Sequence, residues 1–388
     1  MALIDIWNNT PDQLQGKKLR QVIGFAGKLT DEGASSKEFR EYLSAAPSEL
    51  LAQYARECSV EKFEDSGLAL QDVVNEIGRR LGFDVTNGRY RGVSGQPGFD
   101  GLWRSPDDHS LVVEVKTTDA YRISLDTSAG YRKSLVQSQR LTEDKSSFLF
   151  VVGREDTGEF EAQVRGSRYA WDVRLISVDA LCRLMKLKEE VEDPATVRRI
   201  YRILMPQEFT KVDGIIDLVF TAAEEVRQTD EPDEDDDGPG TRKPKFVPVN
   251  FHDACATRVA KQLGIRLLRR SRATYDSPEA DLAVICAVSR EHPAAGGTFF
   301  WYAFHPHQRE ALRKAARSYV AFGCGSEAVV LLIPFQDFDP WLDGMNMTKK
   351  EEREYWHVHI FGEEQKYVLH RKKGQQRIDL TKYLLPGV

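Results

Sequence analysis

Apolar residues recur at helical spacing over residues 70–81, where Leu70, Val73, Val74, Ile77 and Leu81 form one stripe on an otherwise polar segment that ends at Gly82. The spacing predicts an amphipathic helix. Strand-like runs follow at 111–116, Leu-Val-Val-Glu-Val-Lys, and at 147–152, Ser-Phe-Leu-Phe-Val-Val. Between them, residues 128–141 read as a helix carrying Tyr131, Arg132, Lys133, Gln137 and Arg140. The first sixty residues read as helical, including 36–43 and 47–56, and cover one side of this core. Patterns at 197–204 and 215–220 predict two more helices packing back onto it.

The second half repeats this order. An amphipathic helix over 251–263 ends at Gly264, and Asp281 opens a strand over 282–288. After a turn at Gly296-Gly297 come an aromatic strand over 299–304, a helix over 308–320 and a strand over 328–333. Residues 355–361 and 366–370 read as a hairpin, and 379–385 as a short helix. The expected division is a helical cap at 1–60, an α/β core with trailing helices at 61–227, a linker at 228–246 and a second α/β domain at 247–388. In that second domain the aromatic strand would replace the charged strand of the first, which predicts a degenerate, non-catalytic copy used for DNA contact, dimerisation or partner binding.

Charge changes the picture through its distribution. The formal net charge is −6, but seven acids sit in 230–237, so the rest of the chain carries about one net positive charge. That acidic stretch, rich also in Pro and Gly nearby, reads as a flexible tether. Arginines cluster at 79, 80, 89, 91 and 104, and again at 266, 269, 270 and 272. No long apolar run and no leader pattern occur, and the five cysteines are scattered without a C-x-x-C pair. The expectation is a cytoplasmic protein with reduced thiols and no membrane partner.

Candidate chemistry concentrates at Gly98-Phe99-Asp100-Gly101 and the strand after it. On a strand, Val112, Glu114 and Lys116 share one face, while Leu111, Val113 and Val115 share the other. A hairpin would bring Asp100 beside Glu114, giving the hard oxygen ligands that Mg²⁺ or Mn²⁺ takes while keeping waters for a phosphate substrate. Lys116 is then placed to orient or activate water or to stabilise charge on the phosphate. The bland alternative is an exposed edge strand with charges that serve solubility. His305, His307, His357 and His359 have no acid or cysteine at ligand spacing and read as turn and strand residues; Trp301, Tyr302, Phe304 and Phe322 read as core rather than as a stacking platform. No Walker-type loop is present, so any ATP-driven step would need another protein.

Pro97 to Asp100 followed by Glu114-Val115-Lys116 resembles the PD-(D/E)XK nuclease superfamily, and the setting Gly95-Gln96-Pro97-Gly98-Phe99-Asp100-Gly101 looks most like its Mrr-like bacterial DNA-defence nucleases. The resemblance implies a restriction-endonuclease-like α/β core, a mixed central sheet flanked by helices. It also implies Mg²⁺-dependent endonuclease activity on DNA, with Mn²⁺ able to substitute and RNA as the other substrate, in restriction or defence against phage and plasmids. In such families a helix glutamate joins the metal site, which points to Glu76, and the later helix supplies a glutamine, which points to Gln137. A homodimer is expected from two-strand cleavage. The alternative is a nuclease effector gated by an ATPase or sensor partner, or a nucleic-acid-binding subunit of a defence complex with little turnover.

Overall fold

A computed structural model of the chain describes residues 3–61, 63–93, 96–117, 124–153, 158–206, 250–294, 297–350, 353–363, 366–372 and 374–386. The chain divides into two units, Met1–Ala222 and Ala223–Val388. The acidic tether and the helix expected at 215–220 fall outside the described residues.

In the first unit α1 (Leu3–Asn9), α2 (Leu19–Ala26), α3 (Ala34–Ala45) and α4 (Ser48–Val60) precede α5 (Ser66–Leu81). Every residue of the stripe at 70, 73, 74, 77 and 81 is fully buried. The helix stops at Gly82, whose φ of 101° favours glycine; its amide donates to the Arg79 carbonyl at 2.9 Å, and the Phe83 amide donates to that of Gly78 at 3.1 Å. The N-terminal helices form one side of the core itself: Phe39, Tyr42, Leu51 and Tyr54 share a cluster with Val73, Ile77, Leu111 and Val113. The buried Tyr42 and Tyr54 hydroxyls bond to each other at 2.6 Å, which removes the penalty of desolvating two phenols.

Five strands form the sheet of this unit: β1 (Asp84–Asn87), β2 (Gly101–Arg104), β3 (Ser110–Lys116), β4 (Ser146–Val152) and β5 (Val173–Ser177), in that spatial order. The first two pairings are antiparallel and the last two parallel. Crossovers carry α6 (Leu125–Gln137) and α7 (Gly158–Arg165), and α8 (Val178–Glu190) and α9 (Pro194–Arg202) follow. Leu111, Val113 and Val115 pack in the α5 cluster, whereas Val112 packs with Leu135, Phe148, Phe150 and Phe160 on the α6 side. The strand bearing Glu114 is therefore the central strand, covered on both faces. An exposed edge strand is not what the chain builds here.

The second unit opens with α10 (Asn250–Leu263), capped at Gly264 as α5 is at Gly82: the Ile265 amide donates to the Ala260 carbonyl at 3.1 Å. Its first sheet contains β6 (Leu268–Arg269), β7 (Thr274–Asp276) and β8 (Leu282–Ser289). Further along the chain, β9 (His292–Ala294), β10 (Gly297–Phe304), α11 (Pro306–Lys314), β11 (Arg317–Cys324), β12 (Val330–Pro334) and α12 (Phe335–Phe338) follow. The order in the sheet is β12-β11-β8-β7-β6. A second, antiparallel sheet joins β9, β10, β13 (Met347–Lys350), β14 (Arg353–Glu363), β15 (Lys366–His370) and β16 (Ile378–Asp379). Phe300, Tyr302, Phe304, Val358 and Ile360 of that sheet pack against Ile285, Val320, Phe322, Leu331 and Ile333 of the other.

Three expectations are corrected in this unit. Residues 317–320 belong to β11 rather than to the preceding helix, because their backbone pairs in parallel with β8. Residues 381–383 form a single 3-10 turn in place of the helix expected at 379–385. The aromatic strand β10 lies in the second sheet, so the strand in the place of β3 is β8, antiparallel to β7 and parallel to β11. Among the described residues no helix is long and apolar enough to cross a membrane.

Candidate active site

Asp100 immediately precedes β2, and the register that pairs Gly101 with Val113 places it opposite Glu114. Its backbone is held from three sides. The Asp100 carbonyl accepts from Gln71 Nε2 at 3.0 Å, from Asn75 Nδ2 at 3.0 Å and from the Gly88 amide at 2.9 Å, while its own amide donates to the Val113 carbonyl at 3.0 Å. Asn75 Oδ1 in turn accepts from Trp103 Nε1 at 2.8 Å. Each such bond contributes about 1 kcal/mol, so the turn is fixed before any ligand arrives. Gly101 and Gly88 permit this close approach: a Cβ on the first would collide with Asn75 Oδ1, and on the second with the Phe99 carbonyl.

The side chains converge as the alternation requires. Asp100 Oδ2 accepts from the Val115 amide at 2.6 Å, Lys116 Nζ lies 3.0 Å from Glu114 Oε2, and the same amine lies 3.9 Å from Asp100 Oδ2. Glu114 is only 6% exposed, and its Oε1 is buried without a hydrogen-bond partner. Burial, and then the neighbouring charge of Asp100, push the Glu114 carboxyl up to about 7. Burial also raises Asp100, with Lys116 and the Val115 amide pulling it back. Burial opposes the charge on Lys116, but Glu114 and Asp100 together outweigh it and hold the amine above its ordinary value.

Two carboxylates facing one amine leave the cluster one positive charge short, and an orphaned carboxylate oxygen in a central strand calls for a partner. A hard divalent cation fits that donor set. Among the described residues no group of three or more His, Cys, Asp or Glu is placed to hold a metal.

Two residues singled out in the sequence lie elsewhere. Glu76 Oε1 is 2.9 Å from Arg80 Nε and its Oε2 is 3.4 Å from Arg79 Nη1; Arg80 also donates to the carbonyls of Ser44 and Ala46, each at 2.8 Å, at the end of α3. One residue further round α5 than Asn75, Glu76 serves this helix junction, and the face towards Asp100 carries the amides Gln71 and Asn75 instead. Gln137 is the exposed last residue of α6. Because β3 and β4 are parallel, the connecting helix runs back along the sheet and ends at the far end from Lys116.

The α6 residue that does reach the site is Tyr131. Its hydroxyl lies 3.0 Å from the position a Cβ on Gly98 would occupy, it is near enough to Lys116 to interact with it, and among the described residues it has no hydrogen-bond partner. Gln71, Asn75 and Tyr131 are thus the contributors that sequence reading missed. For the two amides a signal existed, a polar pair at i, i+4 beside the buried stripe of α5; for Tyr131 only the fold brings it to the Gly98 turn. Compared with known proteins, the chain matches no family model and no curated protein.

Proposed function

We propose that the first unit is a divalent-metal-dependent nuclease of the PD-(D/E)XK kind that hydrolyses phosphodiester bonds of DNA, in restriction or defence against phage and plasmids. The observation that carries this reading is the unpartnered Oε1 of Glu114, buried in a central strand beside Asp100 and Lys116. A purely structural carboxylate in that position would be a net loss of stability.

Asp100 and Glu114 would hold Mg²⁺, with Mn²⁺ as a substitute. When bound, the cation polarises the scissile phosphate and lowers the pKa of water. Lys116, kept cationic by its two acids, donates to the attacking water and to the phosphoryl oxygens, where negative charge builds up. It acts as a donor rather than as a base. Tyr131 offers a second donor from the α6 side, and the clamp of Gln71, Asn75 and Gly88 keeps the Asp100 turn from shifting. Glu76 and Gln137 have no part in this reading.

The path β6-β7-β8-β11 follows the same antiparallel, antiparallel, parallel sequence as β1-β2-β3-β4, which supports reading the second unit as a copy of the plan without the site. The test of the activity is cleavage of supercoiled plasmid, single-stranded DNA and RNA by wild type and Lys116→Ala, with Mg²⁺, Mn²⁺ or EDTA. Metal-dependent cutting of DNA that the substitution abolishes is the expected result. Purified protein that cuts none of the three with either metal contradicts it.

A further inference from the structure

Lys116 is the last residue of β3, and the last residue of a strand is the one most prone to fray. Its support comes from one side. Towards β2 the pairing stops at Gly101 and Val113, and beyond that point the Asp100 carboxylate, which accepts from the Val115 amide at 2.6 Å, takes the place of a partner strand. That gap is what opens the site. Among the described residues, Glu114, Val115 and Lys116 therefore pair with a strand only at β4, through Phe150, Val151 and Val152.

The end of β4 is a firm anchor. The strand is buried along its whole length, and on its other side Val152 pairs with Ser177, whose Oγ accepts from the Ala180 amide at 3.1 Å and caps α8. One residue beyond Val152, the Gly153 amide closes the pairing by donating to the Lys116 carbonyl at 2.8 Å. Only glycine leaves room for this. A Cβ at 153 would stand 2.7 Å from the Thr117 carbonyl oxygen and 3.2 Å from Ser59 Oγ in the last turn of α4. The Thr117 oxygen is backbone and cannot swing aside, so a side chain at 153 displaces the chain directly after Lys116. Ser59 closes the other direction, its hydroxyl already donating to the Ala55 carbonyl at 2.8 Å. The Lys116 amine stands 3.0 Å from Glu114 Oε2, and a shift of about half an ångström in its backbone is enough to misplace such a donor.

We propose that Gly153 is the positioning residue for Lys116: its amide holds the open end of β3, and its missing side chain sets where the amine stands against Glu114 and Asp100. What the amine does in catalysis rests on the nuclease reading; where it stands does not. The test uses the full chain and two readouts. In EDTA, brief acetylation with acetic anhydride followed by mass spectrometry reports the reactivity of each lysine, and an amine held cationic by two acids acylates slowly. Gly153→Ala should raise the reactivity of Lys116 roughly threefold or more and leave that of Lys145 as in wild type. With Mn²⁺, the same substitution should lower kcat for plasmid cleavage about tenfold or more, while KM and Mn²⁺ affinity hold because Asp100 and Glu114 keep their places. Gly67→Ala, whose Cβ meets open space, should change neither readout. A wild type that does not cut defeats the nuclease reading alone, since the acetylation still decides this one. Should Gly153→Ala fail to fold by circular dichroism, hydrogen exchange in wild type decides, and the Gly153 amide is expected to exchange as slowly as those inside β4. The proposal is overturned by unchanged Lys116 reactivity, by a rise that Lys145 shares, by an unchanged kcat where wild type cuts, or by a Gly153 amide that exchanges as fast as an open loop.

Discussion

The two five-stranded sheets share their first three pairings and differ in what covers the face away from the amphipathic helix. In the first unit that face of β3 carries Val112, Glu114 and Lys116 under α6, with Asp100 opposite. In the second, Ala283, Ile285 and Ala287 of β8 face an aromatic core from the second sheet, and nothing ionisable takes the place of the acids. The same strand path therefore serves two ends. One face keeps a strained electrostatic cluster that a cation would relieve, and the other is filled with apolar side chains whose burial stabilises the unit directly.

This contrast can be broken by exchanging the properties of the two faces. The largest expected effect is that of Ile285→Glu, which buries an unpaired acid where only 2% of the residue is exposed. It should destabilise the second unit by about 3–5 kcal/mol in chemical denaturation, and a smaller loss would mean that this face is wetter than described. Next, Lys116→Ala should slow metal-dependent cleavage by about 10²–10³-fold, the usual consequence of removing a preorganised donor, and lower the melting temperature in EDTA, because it leaves two buried carboxylates without their cation.

The pH dependence sharpens the comparison further. The Glu114 carboxyl, at about 7 in the fold against 4.5 ordinarily, binds more protons folded than unfolded between those values. Its contribution therefore falls as pH rises from about 4.5 to 7 and stays low above that. In EDTA, Glu114→Gln should be more stable than wild type by about 2–3 kcal/mol at pH 8 and nearly equal to it at pH 4, as read from paired denaturation curves. An equal difference at both pH values would remove the titration from the account. The smallest effect belongs to Tyr131→Phe, which should lower cleavage by up to about tenfold while leaving stability unchanged, since the hydroxyl has no partner to lose.

Much of this was legible in the chain because it depends on local period. The α5 stripe, the alternation that groups Glu114 with Lys116, and the turn that sets Asp100 before β2 all follow from spacing. What the sequence did not show depends on long-range packing. That β3 is central rather than an edge is decided by the helices over both its faces, and the use of Glu76 by Arg79 and Arg80 is decided by the end of α3. Gln137 failed for a topological reason, the return direction of a crossover helix. The aromatic run at 299–304 matches a buried strand of either sheet, and only pairing with β14 assigns it. Trp301 likewise shares its strand with core aromatics, yet the pleat turns it outward.

The proposed site requires the first unit to bind one divalent cation, and calorimetric titration of Mn²⁺ into the full chain measures this. One site per chain in wild type, lost in Glu114→Gln and kept in Ile285→Val, is the predicted result. No binding in wild type, or binding that Glu114→Gln leaves unchanged, would contradict it.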